Sequence, residues 1–189
     1  MMKQALAFVV LALTATGVRA ERLDINLSSE TLRATFDAPL PSETLGGLYE
    51  FGGLMGERRG VEFQQAHLGL LVTGDAGARD ANVVAGLGGR VFLLGGDGAD
   101  GGGLGLGGMV DARLPSFNRI GVIAYGYFAP EASTFGDLEG WAEYAVSLDY
   151  QVLKGASIYV GWRQLKVDVE DFGNYTVDTG FHGGLRLSF

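Results

Sequence analysis

A chain of 189 residues with an ordinary apolar content of 47% has the length of one domain, and is neither a disordered chain nor a helical membrane protein. Its formal net charge of −8 argues against a nucleic-acid or polybasic membrane-surface binder, whose partners demand clustered Lys and Arg. Glycine, at 32 residues, far exceeds the usual share of about 7%, and the absence of cysteine rules out disulfide staples.

Residues 1–20 have the pattern of a secretory signal peptide: Lys3, a short apolar stretch from Ala5 to Leu13, then Val18-Arg19-Ala20 as a small-x-small cleavage site. The apolar stretch is too short to span a bilayer as a helix. Cleavage would leave 21–189 as the mature domain, more negative by the charges of Lys3 and Arg19.

After Glu21 no window carries a 3.6-residue stripe, whereas period two recurs nearly throughout. Leu23, Ile25 and Leu27 alternate with Asp24 and Asn26. Leu32, Ala34 and Phe36 alternate with Arg33, Thr35 and Asp37. Further strands are predicted over 45–55, 61–73 and 81–94, the last with Arg90 opposite its apolar parity. A glycine-dominated break then leads to 104–112 and 118–128. In 138–152, Leu138, Ala142, Tyr144, Val146, Leu148, Tyr150 and Val152 form one face, and Glu139, Glu143, Ser147, Asp149 and Gln151 the other. In 157–169 the apolar parity flips after Trp162, which predicts a bulge near Gln164. The last strand is 176–189. All four prolines fall between these runs, where no ladder N–H is lost.

The result is an all-β chain of ten candidate strands, or eight plus a hairpin because the first two are short, in a closed antiparallel barrel. Short turns at one end and long loops at the other, the loops following Leu94, Phe128 and Val169, match a transmembrane barrel. Alternation does not distinguish an apolar core from an apolar exterior, since both have period two. Three features favour the membrane. Charges of both signs stand mid-strand on the polar parity: Arg33, Arg90, Glu143, Asp149, Arg163, Asp178 and Arg186, with His182. Aromatics gather in two girdles, Tyr127, Phe128, Phe135, Phe172 and Tyr175 at the long loops and Phe36, Tyr150 and Phe189 at the short turns. Trp141, on the charged parity, fits neither girdle. Finally, Phe181, Leu185, Leu187 and Phe189 share the last strand's apolar parity and end on an aromatic, as does the assembly signal of bacterial outer-membrane barrels. A soluble protein is expected to blunt such an edge, whereas a barrel closes it.

The stretch YGYFAPEASTFGDLEGWAEYAVSLDYQVLKGASIYVGWRQLKV at 125–167, the terminal GGLRLSF and the early DINLSSETLRATF resemble the YfaZ family of small proteobacterial outer-membrane proteins. The resemblance covers most of the mature chain. It implies an outer-membrane β-barrel and assigns no functional residue.

Other motifs are weaker. Gly95-Gly-Asp-Gly-Ala-Asp100 matches one incomplete calcium-binding nonapeptide, which works only in stacked repeats, and is expected to be a surface loop. Gly103-Leu-Gly-Leu-Gly-Gly108 holds G-x-G-x-x-G, but no helix follows to receive a pyrophosphate. With two distant histidines and no cysteine, no metal or cofactor is expected. The available catalytic set is Ser147 with His182, and Glu143 or Asp178 to orient the base; without a local motif the chain is expected not to be an enzyme.

The lumen cluster, Arg90, Glu143, Asp149, Arg163, Asp178, His182 and Arg186, is expected to be a salt-bridged filling. The expected function is that of a structural or surface-interaction barrel in the outer membrane of a Gram-negative bacterium. Its partners would be outer-membrane lipid and, through the C-terminal strand, the assembly machinery. A narrow channel for ions or small solutes and a lipid-processing enzyme are the alternatives, and the sequence leaves oligomeric state open.

Overall fold

The computed structural model describes residues 21–41, 46–77, 82–97, 99–113 and 115–189. The leader predicted over 1–20 lies outside them, as do the starts expected for two strands at Leu45 and Ala81. Among the described residues ten strands form one antiparallel ring: β1 (Arg22–Ser28), β2 (Thr31–Pro39), β3 (Gly47–Arg58), β4 (Val61–Asp75), β5 (Asn82–Gly96), β6 (Ala99–Arg113), β7 (Ile120–Ala129), β9 (Leu138–Leu153), β10 (Ala156–Val169) and β11 (Gly173–Ser188). Each pairs with its chain neighbour, and β1 pairs with β11, Leu23 opposite Leu187 and Ile25 opposite Leu185. Glu21 and Phe189 exchange backbone hydrogen bonds of 3.0 and 3.1 Å at the seam. The ring closes with ten strands because β1 and β2, though short, are full members of it. A three-residue strand, β8 (Thr134–Gly136), folds onto β6 at the end opposite the seam, hereafter the distal end.

The distribution of polarity is inverted relative to a soluble protein. On the outside, Leu68, Leu70, Leu87, Leu93, Leu106, Val146, Leu148, Val160 and Phe181 stand exposed, Phe181 at 83%. Inside, Arg33, Arg90, Glu143, Asp149, Arg163 and Asp178 are all buried. Aliphatics facing out and charges facing in suit hydrocarbon around the barrel.

Several expectations are corrected by the pairing. Most of the glycine stretch 95–103 is strand rather than loop: β5 runs to Gly96, β6 starts at Ala99, and Gly101 to Gly103 pair on both sides. Connection lengths do not sort by end as predicted. At the distal end β1–β2, β3–β4 and β5–β6 turn through two residues, and only the β7–β9 connection is long. At the seam end β2–β3, β4–β5 and β6–β7 have the longer connections. The β3–β4 turn places Arg59 (φ 54°) and Gly60 (φ 81°) in the left-handed region, as a two-residue hairpin matched to strand twist requires.

On β10 the parity never flips. Tyr159, Arg163, Leu165, Val167 and Val169 all face inward, and the irregularity lies on β11, where Val177 is skipped between the pairs Leu165–Asp178 and Lys166–Thr176. A second bulge at Glu139 turns Leu138 inward and Glu139 outward, the reverse of the predicted faces. Both errors have one cause: the distal half of the lumen is itself apolar.

Candidate functional site

The lumen is built in two layers. The distal layer is a hydrophobic core containing Leu54, Phe63, Phe92, Leu94, Tyr127, Leu138, Trp141, Leu165, Val167 and Val177. Tyr127 and Tyr175, predicted to belong to the girdle, are part of this filling, while Phe128, Phe135 and Phe172 remain exposed at that end. Trp141 stacks on Phe92 with centroids 4.3 Å apart and planes at 19°, and its Nε1 donates to Gln65 Oε1 at 3.3 Å. This explains a Trp on the charged parity: its polar handle has a buried acceptor.

Glycine makes room for these groups. The inward positions 101, 103, 105 and 107 of β6 are all glycine. A Cβ at Gly105 would meet Trp141 Cζ3 at 2.9 Å, one at Gly103 would meet Phe92 Cζ at 3.1 Å, and one at Gly107 would meet Tyr127 Cδ1 at 2.8 Å. The rings therefore lie against bare backbone.

Toward the seam end the filling becomes ionic. Glu143, fully buried on β9, is clamped between two guanidiniums: Arg33 Nη1 donates to Oε1, and Arg90 Nη1 donates to Oε2 at 2.8 Å. Tyr125 OH donates to the same Oε1 at 2.9 Å, and Arg90 Nε reaches Glu50 Oε1 at 2.8 Å. Arg90 also lies 4.0 Å from the centroid of Tyr127, which joins the ionic layer to the apolar one. In a second cluster Arg163 donates to Asp178 Oδ2 at 2.7 Å, Thr31 Oγ1 at 2.9 Å and Asn26 Oδ1 at 3.0 Å. Nearer the seam end, Asp24 accepts from Tyr159 OH at 2.5 Å and Arg186 Nε at 3.1 Å. Arg113 donates to both oxygens of Asp149, at 2.8 and 3.1 Å, and Arg22 to both oxygens of Asp37, at 2.9 and 3.1 Å.

The seven residues singled out from the sequence thus divide among several ion-pair groups. Arg90 and Glu143 share one and Arg163 and Asp178 another, Asp149 and Arg186 each join partners not foreseen, and His182 lies beside them. Asp24, Asp37, Glu50, Arg113 and the hydroxyls of Tyr125 and Tyr159 were not included in that set. Their lumen-facing parity was readable, but strand-end position or aromatic character hid their role. Of the terminal-strand residues, Phe181, Leu185 and Phe189 are exposed on the outer face, while Leu187 is half-buried there.

Both histidines lean over glycines. A Cβ on Gly161 would meet His182 Cε1 and Nε2 at 2.8 Å, and one on Gly52 would meet His67 Cε1 at 2.7 Å. Register puts Ser147, Gly161 and His182 in one row, the pair a catalytic reading needs. However, Ser147 Oγ donates to the Ile123 carbonyl at 3.4 Å, and His182 Nδ1 has no hydrogen-bond partner to orient it as a base; the ring is met edge-on by Tyr159, centroids 5.8 Å apart. Among the described residues no group of His, Asp and Glu is arranged to hold a metal.

A cavity of about 100 Å³ lies on the seam side of the Glu143 clamp, lined by residues that include Arg22, Asp24, Asp37, Arg163, His182 and Arg186.

Among solved structures, the chain is similar to outer membrane phospholipase A from Escherichia coli (11% identity, 89% of this chain and 91% of that one, TM-score 0.42). It is also similar to Neisserial surface protein A (12%, 90% and 94%, TM-score 0.37) and to the outer membrane channel DcaP of Acinetobacter baumannii (9%, 89% and 62%, TM-score 0.39). No curated protein sequence matches it. The model of one family, described as YfaZ precursor, matches residues 1–189, and the chain belongs to that family.

Proposed function

We propose that this is an exported outer-membrane barrel of Gram-negative bacteria with a structural or surface-interaction role, closed to ions and not an enzyme. The observation that carries the reading is the double filling of the lumen. The Arg33–Glu143–Arg90 clamp with Tyr125 spans the middle, and the core around Trp141, Phe92 and Leu165 packs the distal half. A conducting path needs a continuous polar lining with room for hydrated ions, and the apolar layer interrupts it. The non-enzymatic part rests on His182, whose Nδ1 has no hydrogen-bond partner of the kind that orients a catalytic base. With tight turns elsewhere at the distal end, the segment 130–137, held against β6 through β8, is the principal surface there for contact with the outside.

Planar-bilayer recording on the refolded barrel tests the closure. The expected trace is flat at physiological salt, and steady single-channel steps would favour the narrow-channel alternative instead.

A further inference from the structure

The outer face of the barrel is not uniform around its girth. On β5 the outward apolar run extends from Val83 to Leu93, whereas on β10 it ends at Trp162, after only Ile158 and Val160. Further toward the distal end the outward positions of β10 are Gln164, Lys166 and Asp168, and on β11 Thr179 follows Phe181. Trp162 stands opposite Phe181, and its ring centroid lies 5.8 Å from that of Tyr144, so an aromatic platform spans β9 to β11 where the polarity changes. On its seam side Gly183 leaves bare backbone between Phe181 and Leu185; the nearest atom to a Cβ there would be the Tyr159 carbonyl oxygen, at 3.7 Å. On its distal side Tyr144 OH donates to Gln164 Oε1, which leaves Gln164 Nε2 as a donor. Lys166 stands about 10 Å beyond Trp162 along the barrel axis, at the usual strand rise and tilt. Among the described residues it is the one Lys or Arg on the outward parity of a strand, and its ammonium has no ion-pair partner. The other outward strand charges, Glu57, Glu62, Asp100, Glu139 and Asp168, are acidic.

We propose that the outer face of β9–β11 holds an anionic membrane lipid, its headgroup phosphate at Lys166, Gln164 and Thr179 and an acyl chain over Trp162, Phe181 and the bare backbone of Gly183. A lysine just beyond an interfacial aromatic group presents its ammonium at the depth of lipid headgroups. Its charge-assisted hydrogen bond to a phosphate is the strong kind, and the neighbouring amide and hydroxyl donors converge on the same level. With strands tilted by about 40°, Gln164 and Thr179 come level with Leu104 and Leu93 across the barrel, where hydrocarbon is required. A headgroup seated lower on this side relieves that mismatch. Asp168, two positions further out, repels a second anion and confines the phosphate to the level of Lys166. The proposal rests on the reading of this face as lipid-exposed and not on closure of the lumen.

The chain has two tryptophans, and Trp141 is enclosed in the lumen, so lipid-borne bromine reads Trp162. Emission of the barrel refolded into vesicles of dibrominated phosphatidylcholine should be quenched, which checks lipid contact by itself. Unbrominated phosphatidic acid, replacing part of the brominated lipid, should relieve quenching as though enriched about fivefold at the site, the weight one lysine carries at a lipid surface. Unbrominated phosphatidylcholine should relieve it only in proportion to its share. Lys166→Gln should remove the preference and Lys166→Arg keep it, while Lys154→Gln, in a seam-end turn, should leave it unchanged. A heat-modifiable gel shift confirms that each variant is folded. Equal relief by both lipids in the wild-type barrel, or a preference that survives in folded Lys166→Gln, overturns the proposal. Absence of any quenching would place protein, such as a second copy, over Trp162, and overturns it as well.

Discussion

Glu143 is the residue on which the ionic layer depends. It is fully buried, and its two oxygens accept from Arg33, Arg90 and Tyr125. Replacing it with Ala would leave two buried guanidiniums without their shared counter-charge, and breaking a buried pair in this way costs about 3–5 kcal/mol. Urea unfolding of Glu143→Ala in lipid vesicles should show a loss of that size, whereas Glu139→Ala, exposed on the same strand, should unfold like wild type. The charges themselves were legible from parity, since Arg90, Glu143 and Arg163 each interrupt an apolar alternation. Their partners were not. Glu50 meets Arg90 across a β4 glycine, Gly69, and this follows only from register, which local alternation does not encode.

At the level of elements, β6 shows why glycine is so abundant. Its outward positions Leu104 and Leu106 are exposed apolar groups, while its inward positions 101–107 have no side chain at all, leaving space for rings from β5, β7 and β9. Gly105→Val should therefore displace Trp141 and cost about 1–3 kcal/mol, as overpacking does in filled cores. Gly126→Ala is the control, because its Cβ would face outward, at an ordinary 3.7 Å from Tyr144 Cβ, and should be neutral. Urea midpoints for the two variants provide the comparison. The strands were legible where their faces differed in polarity, as in β1, β2 and most of β9. They were misread where Leu165, Val167 and Val169 face an apolar lumen, because an apolar interior and lipid produce the same residue types. The bulges at Glu139 and Val177 were likewise hidden, since a single extra residue looks like a change of face.

For the whole molecule, the ring of ten strands depends on the β1–β11 seam; β11 places Phe181 and Leu185 on its outer face, and Phe189, just beyond it, is exposed. Removing Phe189 deletes the residue whose backbone exchanges hydrogen bonds with Glu21. The truncated chain should insert poorly, seen as loss of the heat-modifiable band in membrane fractions; normal insertion would count against a role for this residue in assembly. Closure itself was legible from the sequence, because an apolar strand ending on an aromatic would otherwise be an unprotected edge. The two-layer lumen was not, since it emerges only when ten inward faces are assembled.

Those layers also bear on how the chain selects its alignment. Distal strand halves that are apolar on both faces gain little from one alignment over its neighbour. A slip of one residue in the middle of the barrel, by contrast, would turn Arg33, Arg90 or Arg163 outward into hydrocarbon, at roughly 2–4 kcal/mol for each arginine near the midplane. The ionic layer thus acts as the molecule's ruler: whatever it contributes to stability, it penalises the mis-paired barrels that the apolar half would tolerate.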